Sequence, residues 1–504
     1  MSRTQREAVY HSTEIQAWEK RWFGSNNSSY GLMQQAALFI SQNLNQEIKQ
    51  RFFSKAKILV WCGQGNNAGD GYLVAVYLKQ LGFDVSVYAA SVPKSTDALK
   101  AYKEALDHAV TIENILKNNS IDIHIDALFG IGLNRDLDHL SQQLIQQFNA
   151  QSGFKVAIDI PSGLHPNTGM PLPIAVHADL TYCLVGLKAG LLTGQAGEYI
   201  GRLQLLPLIP KDQHCKVLAN YQLDLPNLVP RKSHHHKGSF GHVLVIGGHP
   251  NMGGAVMMSA EAAIHSGAGK VTVLCDVRHH QAILSRSPNI MVQDVEAITQ
   301  QKLSELIVQI DTVCFGMGLG RDDWAKQQFI KVISALNQQR QQQTKTQKSY
   351  VFDADALWFL RDEHANLNID NDYMFTPHAG EAARLLGCTA QEIEIDRVVA
   401  IKALQEKYAG QWVLKGAGSL ILEYDNLVIC GLGNAGMGTA GMGDVLAGMI
   451  AGLKGQFQDD ISLADIVVLH AAAGDELAKT GMRGIQAHDM PKTIYKVINS
   501  ASIK

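Results

Sequence analysis

Residues 56–82 read AKILVWCGQGNNAGDGYLVAVYLKQLG, and this stretch decides the fold of the first half of the chain. The apolar run 56–62 passes without a linker into a glycine-dense turn, Gly63 to Gly71. That turn opens onto a segment near 70–81 with helical spacing. A short buried strand that feeds a glycine loop and then a helix begins a βαβ unit. Outward from it, DVSVYAA (84–90), IDIHIDAL (121–128), FKVAIDI (154–160) and LTYCLV (180–185) read as strands, and the segments near 96–107 and 138–149 as helices. Strands alternating with helices predict a doubly wound parallel sheet. Before it, Thr13 is the expected N-cap of a helix over 13–23, with Ile15, Trp18 and Trp22 at helical spacing.

The chain has 504 residues, which is long for one core, so two or three domains are expected. A proline-rich polar stretch at 207–237, ending in RKSHHHKG, separates the first series from a second α/β series. The second contains GHVLVIGG (241–248), GKVTVLC (269–275), DTVCFG (311–316), KSYVFDA (348–354), QWVLKG (411–416) and SLILEY (419–424). The expected boundary is near 225, giving domains 1–225 and 226–504. The QQRQQQTKTQK tract at 338–348 reads as a solvated loop or frayed helix end. His234, His235 and His236 lack a carboxylate or cysteine partner spaced for tetrahedral coordination, and read as solvated linker.

A formal charge of -3 gives no electrostatic case for nucleic acid or acidic membrane surfaces. The seven cysteines are scattered with no CxxC pair, as expected of small buried residues in a reducing compartment. No apolar run reaches the ~20 residues of a membrane span, and the N-terminus has no apolar leader. A cytoplasmic location is the expectation.

Three features of the first half carry chemistry. The loop GxGNNxGDG is not the dinucleotide fingerprint, and its paired asparagines suit a polar ligand with a cation. Asp126 stands at one strand end, before the glycine turn Gly130 to Asp136. Asp159 stands at the next, before Pro161-Ser162-Gly163. Two acids and a serine at one sheet edge supply hard oxygen ligands and a proton-transfer group.

The second half ends in GNAGMGTAGMGDVLAGMIAG (433–452). Its glycines at 436, 438, 441 and 443 precede a helix through Val445 to Ile450, and a helix N-terminus is an anion site. Asp444 beside that site needs a task there, such as moving a proton. KGAGS (415–419) ends a strand with a lysine, two glycines and a serine, which suits an adenylate phosphate. TPHAGE places His378 and Glu381 at a helix start, and FDADAL places Asp353 and Asp355 at another strand end.

In this order and spacing, GQGNNAGDG, DALFGIGL and DIPSG resemble the epimerase domain of bifunctional NAD(P)H-hydrate repair enzymes, over about residues 10–220. KGSFGHVLVIGG, GGAVMMSAEAA, GMGLGR, FDADAL, TPHAGEAARLL, VLKGAGSLI and the glycine turn are similar to the family's ADP-dependent dehydratase, over 225–504. The resemblance implies a Rossmann-like first domain and a ribokinase-like second. It implies that Asn66, Asn67, Ala68, Gly69 and Asp70, with Gly130, Ile131, Gly132, Leu133, Asn134, Arg135 and Asp136, contact the hydrated dinucleotide. It further implies that Asn67, Asp126 and Ser162 hold potassium, and that Asp159 contacts the hydrated nicotinamide. In the second domain, Ala255, Gly318, His378 and Asp444 would face the substrate. Lys415, Gly416, Ala417, Gly418, Ser419 and Gly443 would hold the adenosine nucleotide. Asp159 and Asp444 would be catalytic, ADP the cosubstrate and Mg2+ its counterion. NADHX and NADPHX would be the substrates, and a homo-oligomer is the expected assembly.

Three positions depart from the family pattern. Ala68 and Met317 stand where glycine and proline are usual, and Met442 replaces a threonine, removing a hydroxyl near the phosphates. Two rival readings share parts of this pattern. A ribokinase-like kinase of a small alcohol shares the GxGD logic and leaves the asparagine loop unexplained. A cofactor-sensing or RNA-associated binding protein without catalysis fits poorly with the near-neutral charge and leaves Asp159 and Asp444 without a task.

Overall fold

The computed structural model describes residues 6–51, 56–116, 120–341 and 348–502. They form two compact units, Glu7–Ala219 and Asn220–Lys504, with Arg6 belonging to the second.

In the first unit the strand order is Thr111–Glu113, Asp84–Ala89, Lys57–Cys62, Ile123–Ala127, Phe154–Ile158, Leu180–Leu184 and Arg202–Leu206. Every neighbouring pair is parallel. Side chains alternate between the two faces of a strand. Ile58, Val60 and Cys62 therefore pack in one layer with Ile40, Leu44, Tyr72 and Leu73 of two helices. Trp61, between them, packs on the opposite layer with Ile145 and Phe148 of helix His139–Asn149. Covering on both faces explains why these strands are apolar throughout rather than alternating. The order reverses between Lys57–Cys62 and Ile123–Ala127, and ligands bind at such a switch point, outside the carboxyl ends of the strands.

Two local expectations need correction. His11, not Thr13, caps the first helix, Ser12–Gly24, because Thr13 Oγ1 is itself held by His11 Nδ1 at 2.8 Å while that ring accepts from the Thr13 N–H. The longest helix of the unit, Ser29–Arg51, is not among the expected elements. Its buried Leu32, Met33, Ala36, Ala37, Ile40, Leu44 and Ile48 nonetheless repeat at helical spacing.

In the second unit the order runs Met291–Asp294, Lys270–Cys275, His242–Ile246, Thr312–Phe315, Ser349–Phe352, Tyr373–Phe375, Gln411–Leu414, Leu420–Glu423, Asn426–Cys430. All neighbours are parallel except the two pairings of Leu420–Glu423. Val243, Val245, Val273, Cys314 and Val351 pack on the helices Gly253–His265 and Met442–Phe457. The other face carries an aromatic layer in which Phe315 stacks on Phe329 and Phe375 on Trp412. All seven cysteines are free thiols. Of the 338–348 tract, 338–341 belong to the helix Asp323–Gln341, and 342–347 lie outside the described residues. Among the described residues no helix is long and apolar enough to cross a membrane.

The two core helices of this unit approach closely because Gly448 faces Ser259, and a Cβ at 448 would stand 2.0 Å from the Ser259 carbonyl oxygen. Gly448→Ala is therefore expected to lower stability by about 1–3 kcal/mol through overpacking. Gly254→Ala, whose Cβ would meet nothing within 4 Å, is expected to be neutral or to add about 0.5 kcal/mol. Thermal unfolding of the full chain checks both, and equal midpoints for the two variants would contradict the packing argument.

Two candidate active sites

At the switch point of the first unit lies a cavity of about 650 Å³. Its floor is the carboxyl edge of the sheet. Helix Asn66–Gln80 begins there, and no side chain caps it at Gly65, so its first N–H groups face the cavity. Gly63 is needed at the turn because a Cβ would lie 2.1 Å from the Leu128 carbonyl oxygen. Of the residues expected from the sequence, Asn66, Asn67, Asp70, Gly130, Ile131, Gly132, Leu133, Asn134, Arg135 and Asp159 line the cavity. Ala68 and Gly69 are buried, and a Cβ at Gly69 would meet the Met33 side chain, so both serve packing rather than the wall. Asp136 is exposed and does not line it.

Asn67, on the wall, is joined through Phe129 to Ser162 and Asp126 behind it. Ser162 Oγ donates to Asp126 Oδ1 at 2.6 Å, and the Ser162 N–H donates to Oδ2 at 2.7 Å. Asn67 Nδ2 donates to the Phe129 carbonyl at 2.9 Å, and the Phe129 N–H donates to Ser162 Oγ at 2.8 Å. Asn67 Oδ1 is buried with no hydrogen-bond partner among the described residues. Burial pushes the Asp126 carboxyl up to about 6 against the hydrogen bonds from Ser162 and Leu128, which pull it down. An unsatisfied amide oxygen, a carbonyl and a buried carboxylate form an oxygen set lacking a positive charge.

Asp159 stands apart from that set. It follows strand Phe154–Ile158 with a left-handed backbone (φ 66°), a conformation costly for a side chain with a Cβ. Lys188 Nζ donates to Asp159 Oδ1 at 2.5 Å and to the Leu184 carbonyl at 2.7 Å, and the Leu184 N–H donates to the same Oδ1 at 3.2 Å. Burial works against the Lys188 charge, but Asp159 together with Cys183 and Glu19 outweighs it and raises the ammonium above its ordinary range. Sequence reasoning missed Lys188, although it is the only charged residue in the apolar run 180–192. It also missed Glu19, which lines the cavity from the first helix. Burial and then the charge of Asp159 push Glu19 up to about 7, and push Asp70 well above the usual carboxylate range.

The second unit builds its site where strand ends meet the start of helix Met442–Phe457. Gly441, with φ 94°, precedes this helix and no side chain caps it. Lys415 Nζ donates to Asp353 Oδ1 at 2.8 Å, the Thr376 hydroxyl donates to the same oxygen at 2.7 Å, and Glu381 lies 3.8 Å from Lys415. A Cβ on Gly443 would stand 3.0 Å from Lys415 Nζ and 3.5 Å from Asp353 Oδ2, so the bare backbone lies against this pair. Burial, then the charge of Asp353, push Asp444 up to about 7, with Lys415 opposing. The Lys415 N–H donates to the Pro377 carbonyl at 2.9 Å, joining KGAGS to TPHAGE. Within KGAGS, Ser419 Oγ bonds back to Gly416, and buried Arg397 donates to the Leu414 and Lys415 carbonyls, which fixes the loop. Gly416 and Ala417 are exposed at the tip of this loop, and Gly418 is half-buried. His378 is an exposed helix cap, its Nδ1 accepting from the Gly380 and Glu381 N–H groups. Gly318, on the GMGLGR turn, lies against Ala255, and a Cβ at 318 would stand 3.2 Å from the Ala255 Cβ. Arg321 and Gly320 of that turn bind Asp355, which ties it to FDADAL.

A family model described as NAD(P)H-hydrate dehydratase matches residues 243–496, and one described as YjeF-related protein N-terminus matches residues 29–190. The bifunctional NAD(P)H-hydrate repair enzyme of Escherichia coli strain K12 is 38% identical over 453 residues, 88% of this chain and 85% of that protein. The chain belongs to the bifunctional NAD(P)H-hydrate repair enzyme family. The Vibrio cholerae member of this family is 39% identical over 446 residues, 86% of each chain. Among solved structures, a ribokinase-like superfamily protein from Enterococcus faecalis V583 is 31% identical with a TM-score of 0.50, covering 55% of this chain and 93% of that one.

For this repair-family chain the Lys188–Asp159 pair has a direct stability consequence. Lys188→Met leaves a buried carboxylate without its cation and is expected to cost about 3 kcal/mol. Denaturant unfolding checks it, and an unchanged midpoint would show that the pair contributes nothing.

Proposed function

We propose that the chain repairs hydrated nicotinamide cofactors with a separate activity in each unit. Residues 1–225 interconvert R- and S-NAD(P)HX, and residues 226–504 dehydrate the S form to NAD(P)H using ADP, giving AMP and phosphate. The observation that carries this reading is a feature common to both units. In each, an aspartate at the carboxyl end of a parallel strand is ion-paired to a lysine, fully buried in the first unit and half-buried in the second, beside a helix start that no side chain caps.

In the N-terminal site the helix start and the turn 130–135 receive the dinucleotide phosphates, and Asp159 moves a proton at the hydrated ring. Asn67, Asp126 and Ser162 would hold potassium, and the orphaned Asn67 Oδ1 fits that role. The ion would supply the positive charge that the buried Asp126 lacks.

In the C-terminal site Lys415 to Ser419 and Gly443 hold the nucleotide, and Ala255, Gly318 and His378 face the substrate. A hydroxide is a poor leaving group. Asp444 takes the proton of the ring hydroxyl, whose oxygen bonds to the β-phosphorus of ADP while AMP leaves. Phosphate then departs from C6 with the C–O electron pair, the N1 lone pair assists, and loss of a proton from C5 completes the double bond of NAD(P)H. Among the described residues no group of three or more His, Cys, Asp or Glu side chains is placed to hold a metal. Magnesium would accordingly bind the phosphates together with a carboxylate such as Asp353, leaving Asp444 free as base. A homo-oligomer and a cytoplasmic location remain part of this proposal.

Asp444→Asn is expected to slow ADP-dependent dehydration of S-NADHX by about 100-fold or more and to leave epimer interconversion unchanged. Asp159→Asn should do the reverse. A base works when deprotonated, and Asp444 is pushed up to about 7, so dehydration kcat/KM should fall as pH drops below about 7. Chromatography of both epimers over time reads all of this. Variants that slow both reactions equally, or neither, would defeat the assignment.

A further inference from the structure

We propose that Glu19 is a second proton-transfer group of the N-terminal site, acting with Asp159 on the ring hydroxyl during inversion. This rests on the reading that the first unit interconverts the two epimers.

Glu19 lies on helix Ser12–Gly24, which is firmly anchored. Ile15 and Trp18 are buried, Trp18 Nε1 donates to the Pro210 carbonyl at 3.1 Å, and Arg21 Nε pairs with Asp212 at 2.5 Å. The helix thereby presents Glu19 to the same cavity as Asn66, Asp70 and Asp159. The charged groups around that cavity are Asp70, Asp97, Arg135 and Asp159 on its wall and Lys188 behind Asp159. The two carboxyl groups are treated differently. Lys188 and the Leu184 N–H both bind Asp159 Oδ1, and Oδ2 has no protein partner among the described residues. The Glu19 carboxyl makes no ion pair or hydrogen bond among the described residues, and burial, then the nearby Asp159 charge, push it up to about 7 with the Lys188 charge opposing. Two carboxyl groups in one site, set apart by their surroundings, divide into an acid and a base.

Inversion at one carbon needs proton transfer at a hydroxyl leaving one face and at a hydroxyl arriving on the other. Protonated Glu19 gives its proton to the C6 hydroxyl oxygen, and the C6–O bond breaks with its electron pair staying on oxygen, so water leaves. The N1 lone pair forms the C6=N1 bond. Water then adds to C6 from the opposite face, that electron pair returns to N1, and the Asp159 carboxylate takes the released proton. Turnover in the other direction exchanges the two roles, and cavity water carries the proton back.

The test is interconversion of purified R- or S-NADHX by the full chain without ADP, across pH 5.5 to 9. An acid works when protonated, so the wild-type rate should fall as pH rises through about 7. Glu19→Gln should lower kcat by about 100-fold and abolish that alkaline fall. Glu19→Asp should keep the fall at an intermediate rate, and Asp70→Asn should keep it as well. ADP-dependent dehydration of S-NADHX by Glu19→Gln should match wild type, which separates a chemical role from misfolding. Wild-type rate in Glu19→Gln, persistence of its alkaline fall, or loss of the fall only in Asp70→Asn would overturn the proposal. A wild-type chain that interconverts nothing would instead overturn the epimerase reading on which it rests.

Discussion

A charge at the carboxyl end of a parallel strand, buried beneath loops and helices, persists only if an opposite charge is buried with it. The desolvation cost is several kcal/mol per ion, and an unpaired carboxylate escapes it by taking a proton. Each unit of this protein meets the constraint with one lysine. Lys188 stands on Asp159, and Lys415 stands on Asp353 with the Thr376 hydroxyl beside it. Each lysine neutralises one acid where several are gathered. The acids left over include Glu19, Asp70 and Asp126 in the first unit and Glu381 and Asp444 in the second, and burial pushes each of them above its ordinary range. Proton-transfer capacity near neutral pH thus follows from a shortage of buried cations.

The second requirement is backbone without side chains. Helices Asn66–Gln80 and Met442–Phe457 both start from a glycine and lack a side-chain cap, so their N–H groups stay available for an anion. Gly63 removes a Cβ that would strike the Leu128 carbonyl in the first unit, and Gly443 one that would crowd Lys415 Nζ at 3.0 Å in the second. Anionic phosphates brought to such a helix start and an acid that must move a proton are compatible because the acid is neutral for part of its cycle. A fully ionised carboxylate there would repel the ligand.

Much of this was legible in the sequence because strand ends and glycine turns leave local signatures. The strand cores, the switch-point loop and the turn before Asp444 follow from period, glycine spacing and single acids at run ends. The partnering of Ser162 with Asp126 required only that neighbouring strands end together. What escaped was set by packing across long separations in sequence. Lys188 meets Asp159 from a two-residue strand, Leu187–Lys188, and Glu19 reaches the cavity from a helix whose polar residues look alike in sequence. Arg397, which fixes the KGAGS loop by its carbonyls, carries no motif at all. Met442 is buried at the first turn of its helix.

The central claim, that two independent sites act in sequence on one damaged coenzyme, is tested most directly by giving the full chain pure R-NADHX together with ADP and magnesium and following NADH absorbance with chromatography. The account predicts complete conversion to NADH with S-NADHX as a transient, at a rate proportional to protein. R-NADHX that disappears only at its protein-free rate of interconversion, while added S-NADHX is consumed at once, would contradict it.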